Sequence, residues 1–281
     1  MEKSKYLFKI YYIGKKKYYG SQRQRNAITI EHCLLDVLIK KKYITESENS
    51  RFEVASRTDR LVSARSAYFT SIIEKKPILM ELNSALPKEI GIWAYAKVPL
   101  DFSPRYNAIL RHYVYIVPTP LSYLKDTYFF NIDGVKKACS HLEGKHDFIN
   151  FSKKVKEDRL TVRDMNTVKL SVKEDFIIFQ FKSKGFLRQQ IRRIVTKLLE
   201  LGKGDIDYDT FLSLFDATKS FSYQPANPKG LILWDIIYDS EINMKEDLKS
   251  KKRMELYFLE KKLKFGLEHQ LFNILHEDNL S

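Results

Sequence analysis

Twice along this chain the apolar pattern runs through the same succession of strand and helix periods, and that order constrains the fold more than any other feature. Tyr6–Tyr12 alternates large apolar and polar residues as a strand does, and Gly14 with three lysines ends it. Ile30, Leu34, Val37 or Leu38 and Lys41 recur at helical spacing, which predicts an amphipathic helix over 30–41 with Thr29 as N-cap. Two further strands are expected at Phe52–Ser56 and Ala67–Ile72. A short helix, Leu79–Leu86, is stopped by Pro87, and a strand follows at Ile92–Val98. The result is β-α-β-β-α-β, a ferredoxin-like unit. After a proline-bounded connection from Pro99 to Pro104, the second series predicts a strand at 113–117 and a helix at 134–142. Strands at 168–172 and 177–182, a helix at 187–201, a short helix after Asp207 and a closing strand at 231–238 complete it.

The expected class is therefore α+β: two ferredoxin-like-derived halves, a mixed and mainly antiparallel sheet across both, and a central cleft between them. The halves run over 1–104 and 105–240, with no sequence repeat between them. Beyond them, residues 241–281 form a helical extension, in which Leu256, Leu259, Leu263, Leu267, Leu271 and Ile274 keep steps of three or four. Gly266 is a point where that helix can break, at a cost near 1 kcal/mol relative to Ala. Its apolar stripe must bury against the core of this chain or against another protomer.

Charge narrows the partners. Lys and Arg total 49 against 35 Asp and Glu, a formal net charge of +14. The segment 241–281 has eight of each sign, so the excess lies in the first 240 residues. Basic clusters there, at Lys15–Lys17, Arg23–Arg25, Lys40–Lys42, Lys153–Lys156 and Arg188–Arg193, have aromatic neighbours such as Tyr18, Tyr19, Tyr43 and Phe186. That combination suits phosphate contacts and base stacking, and equally a solvated basic surface. With 44% hydrophobic residues the chain is not a disordered polycation. Its two cysteines, Cys33 and Cys139, exclude a disulfide framework and a cysteine-rich zinc site. No apolar run is long enough to span a bilayer, and the N-terminus lacks a signal-peptide core. A cytoplasmic protein without a membrane association is expected.

Familiar catalytic signatures are missing: no phosphate loop, dinucleotide fingerprint, H-E-x-x-H or G-x-S-x-G occurs. An enzyme built on this sequence must use a carboxylate, Tyr, Lys or Arg. The segment Arg57-Thr58-Asp59-Arg60 sets a carboxylate between two guanidinium groups after a strand, which favours its ionised, nucleophilic form. The ordinary alternative is a turn-forming Asp. Tyr113 and Tyr115 share one face of a strand, as core aromatics also would. Arg188 and Arg192 are spaced to lie together on the first turns of a helix, where they call for something anionic nearby.

These segments together resemble the TruA family of tRNA pseudouridine synthases. The resemblance rests on Arg57-Thr58-Asp59 with Val62-Ser63-Ala64, on Arg105 followed by Arg111-His112-Tyr113-Val114-Tyr115, and on Gly185-Phe186-Leu187 with Ile191-Arg192-Arg193-Ile194-Val195. Tyr18-Tyr19-Gly20-Ser21-Gln22-Arg23-Gln24 and Gly144-Lys145-His146-Asp147-Phe148 with Phe151-Ser152 match further family blocks, so the likeness spans about 6–238. It implies Asp59 as the nucleophile that isomerises uridine to pseudouridine in the anticodon stem-loop, at tRNA positions 38 to 40. By the same match, Tyr113 stacks on the target base and takes part in removing the C5 proton. Arg192 pairs with the nucleophile, and Arg57 helps the nucleotide leave the stack. The other RNA-contacting residues the match implies are Gln22, Arg23, Arg105, Phe186 and Arg188. It implies no metal or organic cofactor, tRNA as partner, and a homodimer. Departures from the pattern are Leu61 and Ser56 where glycine is usual. Ser63 and Ser21 replace a His and an aromatic of the bacterial members, as in the archaeal and eukaryotic branch. Leu61 would alter the backbone just past Asp59. It is the main support for a rival reading, a catalytically inactive RNA-binding module of the same fold. The same chemistry on another RNA is a third.

Overall fold

A computed structural model of the protein describes residues 3–45, 50–153 and 160–276. The basic cluster Lys153–Lys156 lies outside these residues except for Lys153.

The first half begins with β1 (Ser4–Tyr12) and α1 (Ile30–Lys40), whose Thr29 cap accepts from the His32 N–H at 3.2 Å. The short β2 (Glu53–Val54), β3 (Ser63–Ile73), α2 (Leu79–Ala85) and β4 (Ile90–Val98) follow. The second half contains β5 (Leu110–Pro120), α3 (Leu121–Tyr128), α4 (Ile132–His141), β6 (Gly144–Asp147) and β7 (Val162–Lys173). It continues through β8 (Phe176–Ser183), α5 (Gln190–Lys203), α6 (Tyr208–Ser213) and β9 (Leu231–Ile237). A two-residue β10 (Lys245–Glu246) leads into α7 (Leu248–His276).

The ten strands of the described residues join one sheet in the order β10-β4-β1-β3-β9-β5-β8-β7-β6, with β2 beside β3. The order β4-β1-β3-β2 of the first half is repeated as β9-β5-β8-β7 in the second, so the expected pair of ferredoxin-like units is present. One face of the sheet carries a single continuous core, to which α1, α4 and α5 contribute Leu34, Leu38, Val135, Ile194 and Leu198. The Gly144–Asp147 block forms a short edge strand, and His146, Phe148 and Phe151 pack with Phe215 in an aromatic cluster.

The two halves are joined at the edge of β3, and there the sequence reading needs correction. The strand expected over 52–56 is only two residues long. β2 pairs with Thr70 and Phe69 at one end of β3, while β9 runs parallel to the other end through Ser63↔Ile232 and Ala64↔Leu233. One edge cannot serve two full strands, so the chain leaves β3 at Ala55 and crosses the junction as an irregular loop, 56–62.

Residues 249–276 are helical as expected, and the helix runs unbroken through Gly266. Met254 and Tyr257 pack on Tyr11 and Trp93 of the opposite sheet face. The stripe from Leu256 through Ile274 meets no core among the described residues, and its five leucines and one isoleucine are exposed.

Candidate active site

Loop 56–62 is irregular in backbone yet held from several directions. Below it, the stretch after β1 supplies a reciprocal clamp: the Ser21 hydroxyl accepts from the Thr58 N–H at 2.7 Å, and the Ser21 N–H donates to the Thr58 carbonyl at 3.1 Å. The Tyr12 and Thr58 hydroxyls bond at 2.7 Å in the interior. Two glycines let these segments approach. A Cβ on Gly14 would collide with the Leu61 carbonyl, and one on Gly20 would come within 2.9 Å of the Thr58 oxygen. The clamp segment is itself anchored on buried Glu89, which takes Lys17 at 2.7 Å, Lys15 at 3.3 Å and the Tyr18 hydroxyl at 3.1 Å. Burial works to raise the Glu89 carboxyl, but the Lys17 and Lys15 ammoniums and a backbone hydrogen bond outweigh it and hold the group at about 2.

The turn that presents Asp59 closes with the Val62 N–H donating to the Asp59 carbonyl at 3.2 Å. Its third residue, Leu61, has φ +71°. The backbone therefore takes the left-handed path that a glycine would take, and the leucine is accommodated at a strain of about 1–2 kcal/mol. At Leu61 the backbone just past Asp59 is thus left-handed, and the cost of a leucine there is local strain.

Asp59 and Arg192, 133 residues apart, form an ion pair with Nη1–Oδ2 at 2.9 Å. Arg192 is 8% exposed, and its Nε donates to the Ala226 carbonyl at 2.7 Å, which fixes the plane of the guanidinium. The Asp59 side chain is 37% exposed, so part of the carboxylate is open to solvent. A buried, anchored cation against a partly open carboxylate fixes the orientation of the latter. Arg192 lies in the first turn of α5, where a cation opposes the helix dipole, and Asp59 supplies the anion that offsets it.

Arg188 does not share that helix face. Gln189 adopts φ +62° and the Gln190 side chain accepts from the Leu187 N–H at 2.7 Å, so residues 187–190 form a turn and α5 starts only at Gln190. Arg188 is exposed in that turn.

Tyr113, from β5, is 7% exposed, and its ring meets Phe186 edge-on at 5.2 Å. Burial pushes its phenol up to about 12; the Arg111 charge and the Ser56 hydroxyl pull it down, and the Asp59 charge raises it. The phenol is therefore neutral throughout the physiological range. Two residues earlier, half-buried Arg111 donates to Ser56 Oγ at 2.8 Å and to the carbonyls of Ala55, Arg105 and Lys184.

Asp59, Arg192, Tyr113 and Phe186 thus meet at the junction of the halves. The remaining sequence candidates surround them without touching Asp59. Arg57 is exposed and makes no hydrogen bond or ion pair among the described residues, leaving its charge for a ligand. Gln22 and Arg23 are exposed in the clamp segment, where the Arg23 N–H donates to Glu31 at 2.8 Å. Arg105 is exposed, its guanidinium 5.5 Å from the Tyr106 ring centroid. The sequence reading missed Ser21 as the loop's clamp and the Ala226 carbonyl as the anchor of Arg192. Neither has a sequence signature, because a backbone acceptor can be any residue.

Residues 138–239 match a family model described as tRNA pseudouridine synthase. A tRNA pseudouridine synthase A of Methanothermobacter thermautotrophicus is 33% identical over 98% of this chain and 96% of its own length. Proteins of the same name are 32% identical in Archaeoglobus fulgidus, over 99% of both chains, and 34% identical in Pyrococcus furiosus, over 96% of this chain and 95% of that one.

Proposed function

The chain belongs to the tRNA pseudouridine synthase A family, and on that footing we propose that it isomerises uridine to pseudouridine in the anticodon stem-loop of tRNA, at positions 38 to 40. The observation that carries the reading is the Asp59–Arg192 ion pair at the junction of the halves.

In this mechanism the Asp59 carboxylate adds to the target nucleoside and the bond from uracil N1 to ribose C1′ breaks. The detached uracil rotates, C5 bonds to C1′, the bond to Asp59 breaks and frees the carboxylate, the C5 proton leaves and N1 gains one, so the net change is an isomerisation. Arg192 holds the carboxylate aimed. Tyr113 stacks on the base. Its phenol enters the reaction protonated, so it can take the C5 proton only as it passes on its own. Arg57 helps the nucleotide leave the stack, a step that costs a few kcal/mol. Gln22, Arg23, Arg105, Phe186 and Arg188 contact RNA around the opening, and the +14 net charge supports a polyanionic partner.

Residues 1–104 supply the nucleophile loop, 105–240 the tyrosine and arginine, and 241–281 an extension whose exposed stripe is the surface a homodimer contact would cover. No described helix is long and apolar enough to cross a membrane, and we place the enzyme in the cytoplasm with its tRNA substrate.

The test is carbodiimide-adduct primer extension on a tRNA transcript incubated with the protein or with Asp59→Ala. Stops in the anticodon arm that vanish in the variant are expected, with tRNA affinity held within about threefold because many phosphate contacts supply it. Residual pseudouridine well above background in Asp59→Ala would sink the nucleophile assignment. Stops outside the anticodon arm would move the substrate site while keeping the chemistry.

A further inference from the structure

The guanidinium of Arg111 is occupied almost wholly by the protein. Nε donates to the Ser56 hydroxyl at 2.8 Å, Nη2 to the carbonyls of Ala55 at 3.0 Å and Arg105 at 2.8 Å, and Nη1 to the carbonyl of Lys184. Four of the five N–H groups an arginine carries are used, so little remains for a phosphate. Among the described residues no carboxylate is a partner: all four acceptors are neutral oxygens. A half-buried cation without a counter-charge is tolerated only where its donors are fully engaged.

The acceptors belong to three separate pieces of chain. Ala55 and Ser56 are the stem of the loop that presents Asp59. Arg105 lies in the connection between the halves. Lys184 opens the turn that two residues later places Phe186 against Tyr113. Arg111 itself lies on β5 in rigid register, opposite Ser183 and Ile236 and two residues from Tyr113. One side chain thus ties the nucleophile's stem, the tyrosine's strand and the phenylalanine's turn to a common frame. The planar fork can reach in three directions at once, which a lysine ammonium on a flexible stem does not reproduce.

We propose that Arg111 is a positioning residue for the isomerisation, setting the approach of the Asp59 loop to Tyr113 and Phe186. This rests on the reading of Asp59 and Tyr113 given above. Displacement of a reacting group by about 1 Å can cost on the order of 100-fold in rate, whereas tRNA affinity, spread over many phosphates, should hardly change.

Single-turnover pseudouridine formation with enzyme in excess, alongside tRNA dissociation constants and their salt dependence, tests this in the wild type, Arg111→Ala, Arg111→Lys and Ser56→Ala. Arg111→Ala is expected to slow the step by about 100-fold while the reaction still runs to full product and Kd stays within about threefold. Arg111→Lys should recover part of the loss. Ser56→Ala should slow the step by less, and add little on top of Arg111→Ala, because both act through one contact. A merely structural role would lower the fraction of folded enzyme, seen by circular dichroism and recovered by raising the enzyme concentration, rather than the rate at saturating enzyme. If Arg111→Ala does not fold, the lysine variant and Ser56→Ala decide alone. A rate within threefold of wild type for these variants overturns the proposal, as does a loss confined to Kd with a shallower salt slope, the mark of a phosphate ligand. A wild type that makes no pseudouridine overturns the functional reading and this inference with it. Activity in the wild type with unaffected variants overturns the inference alone.

Discussion

The two halves follow one plan and differ at its second strand. In the second half that strand, β7, runs twelve residues and pairs with β8 along most of its length. In the first half its counterpart, β2, stops after two, and the chain that would have continued it becomes the loop carrying Asp59. The vacated edge of β3 is taken by β9 of the other half. Shortening one strand therefore does two things together: it frees a segment from ladder geometry so that it can aim a carboxylate, and it opens the place where the halves dock. The second half keeps its full strand and contributes Tyr113 from β5 and Arg192 from α5, both on regular elements, with Phe186 on the turn between β8 and α5. A carboxylate on a loose loop would be poorly aimed, and the first half compensates with clamps to the loop where it lacks strand pairing.

The sharpest way to break this arrangement is to remove the bond that crosses it. Arg192→Gln takes the cation from Asp59 while leaving a polar side chain near Ala226, and should cut the single-turnover rate by about 100- to 1,000-fold, the usual cost of one preorganised charged donor. A loss below tenfold would mean that the loop's own clamps orient the carboxylate. The next effect is on stability and works from beneath the loop. Glu89 has a depressed folded-state pKa, so its stabilisation is present above about pH 4.5 and is lost as the pH falls toward 2. The loss should amount to about 2–3 kcal/mol. Acid unfolding followed by circular dichroism should show a steep limb in that window for the wild type and a flatter one for Glu89→Gln. Equal limbs would remove Glu89 as the anchor of the clamp segment. The smallest effect concerns the strained turn. Leu61→Gly relieves the left-handed strain but adds freedom to the unfolded chain, for a net stabilisation of about 0.5 kcal/mol. Turnover should stay within about twofold. Destabilisation above 1 kcal/mol in urea titrations would show that the leucine side chain itself holds the loop.

Much of the plan was legible in the sequence because periodicity reports which face of an element is buried. The strands at 6–12 and 92–98, the helix at 30–41 with its Thr29 cap and the long final helix all appear close to their expected bounds. The brevity of β2 was not legible: Phe52–Ser56 has strand composition, and what shortens it is competition from a strand more than 170 residues away. The start of α5 was misplaced for a local reason, since nothing in Leu187–Gln190 announces that Gln189 turns left-handed. Helix α3 went unseen because Leu121–Tyr128 has only Leu121 and Leu124 on its buried face. The site divides in the same way. Asp59, Tyr113 and Arg192 were reached through family motifs. The Ser21 clamp and the contacts of Arg111 depend on backbone oxygens, which carry no residue code.

The docking of β9 onto β3 also has a consequence for how the protein is made. The stretch of β3 at Ser63 and Ala64 receives its neighbour only when Ile232 and Leu233 have been synthesised. At ordinary translation speeds that is roughly ten to thirty seconds later. Until then the emerging first half holds an open strand edge, the kind of surface on which nascent chains cross-pair. Biogenesis of this protein should therefore depend on shielding during that interval, and a ribosome stalled between the halves would hold the chain at its most aggregation-prone length.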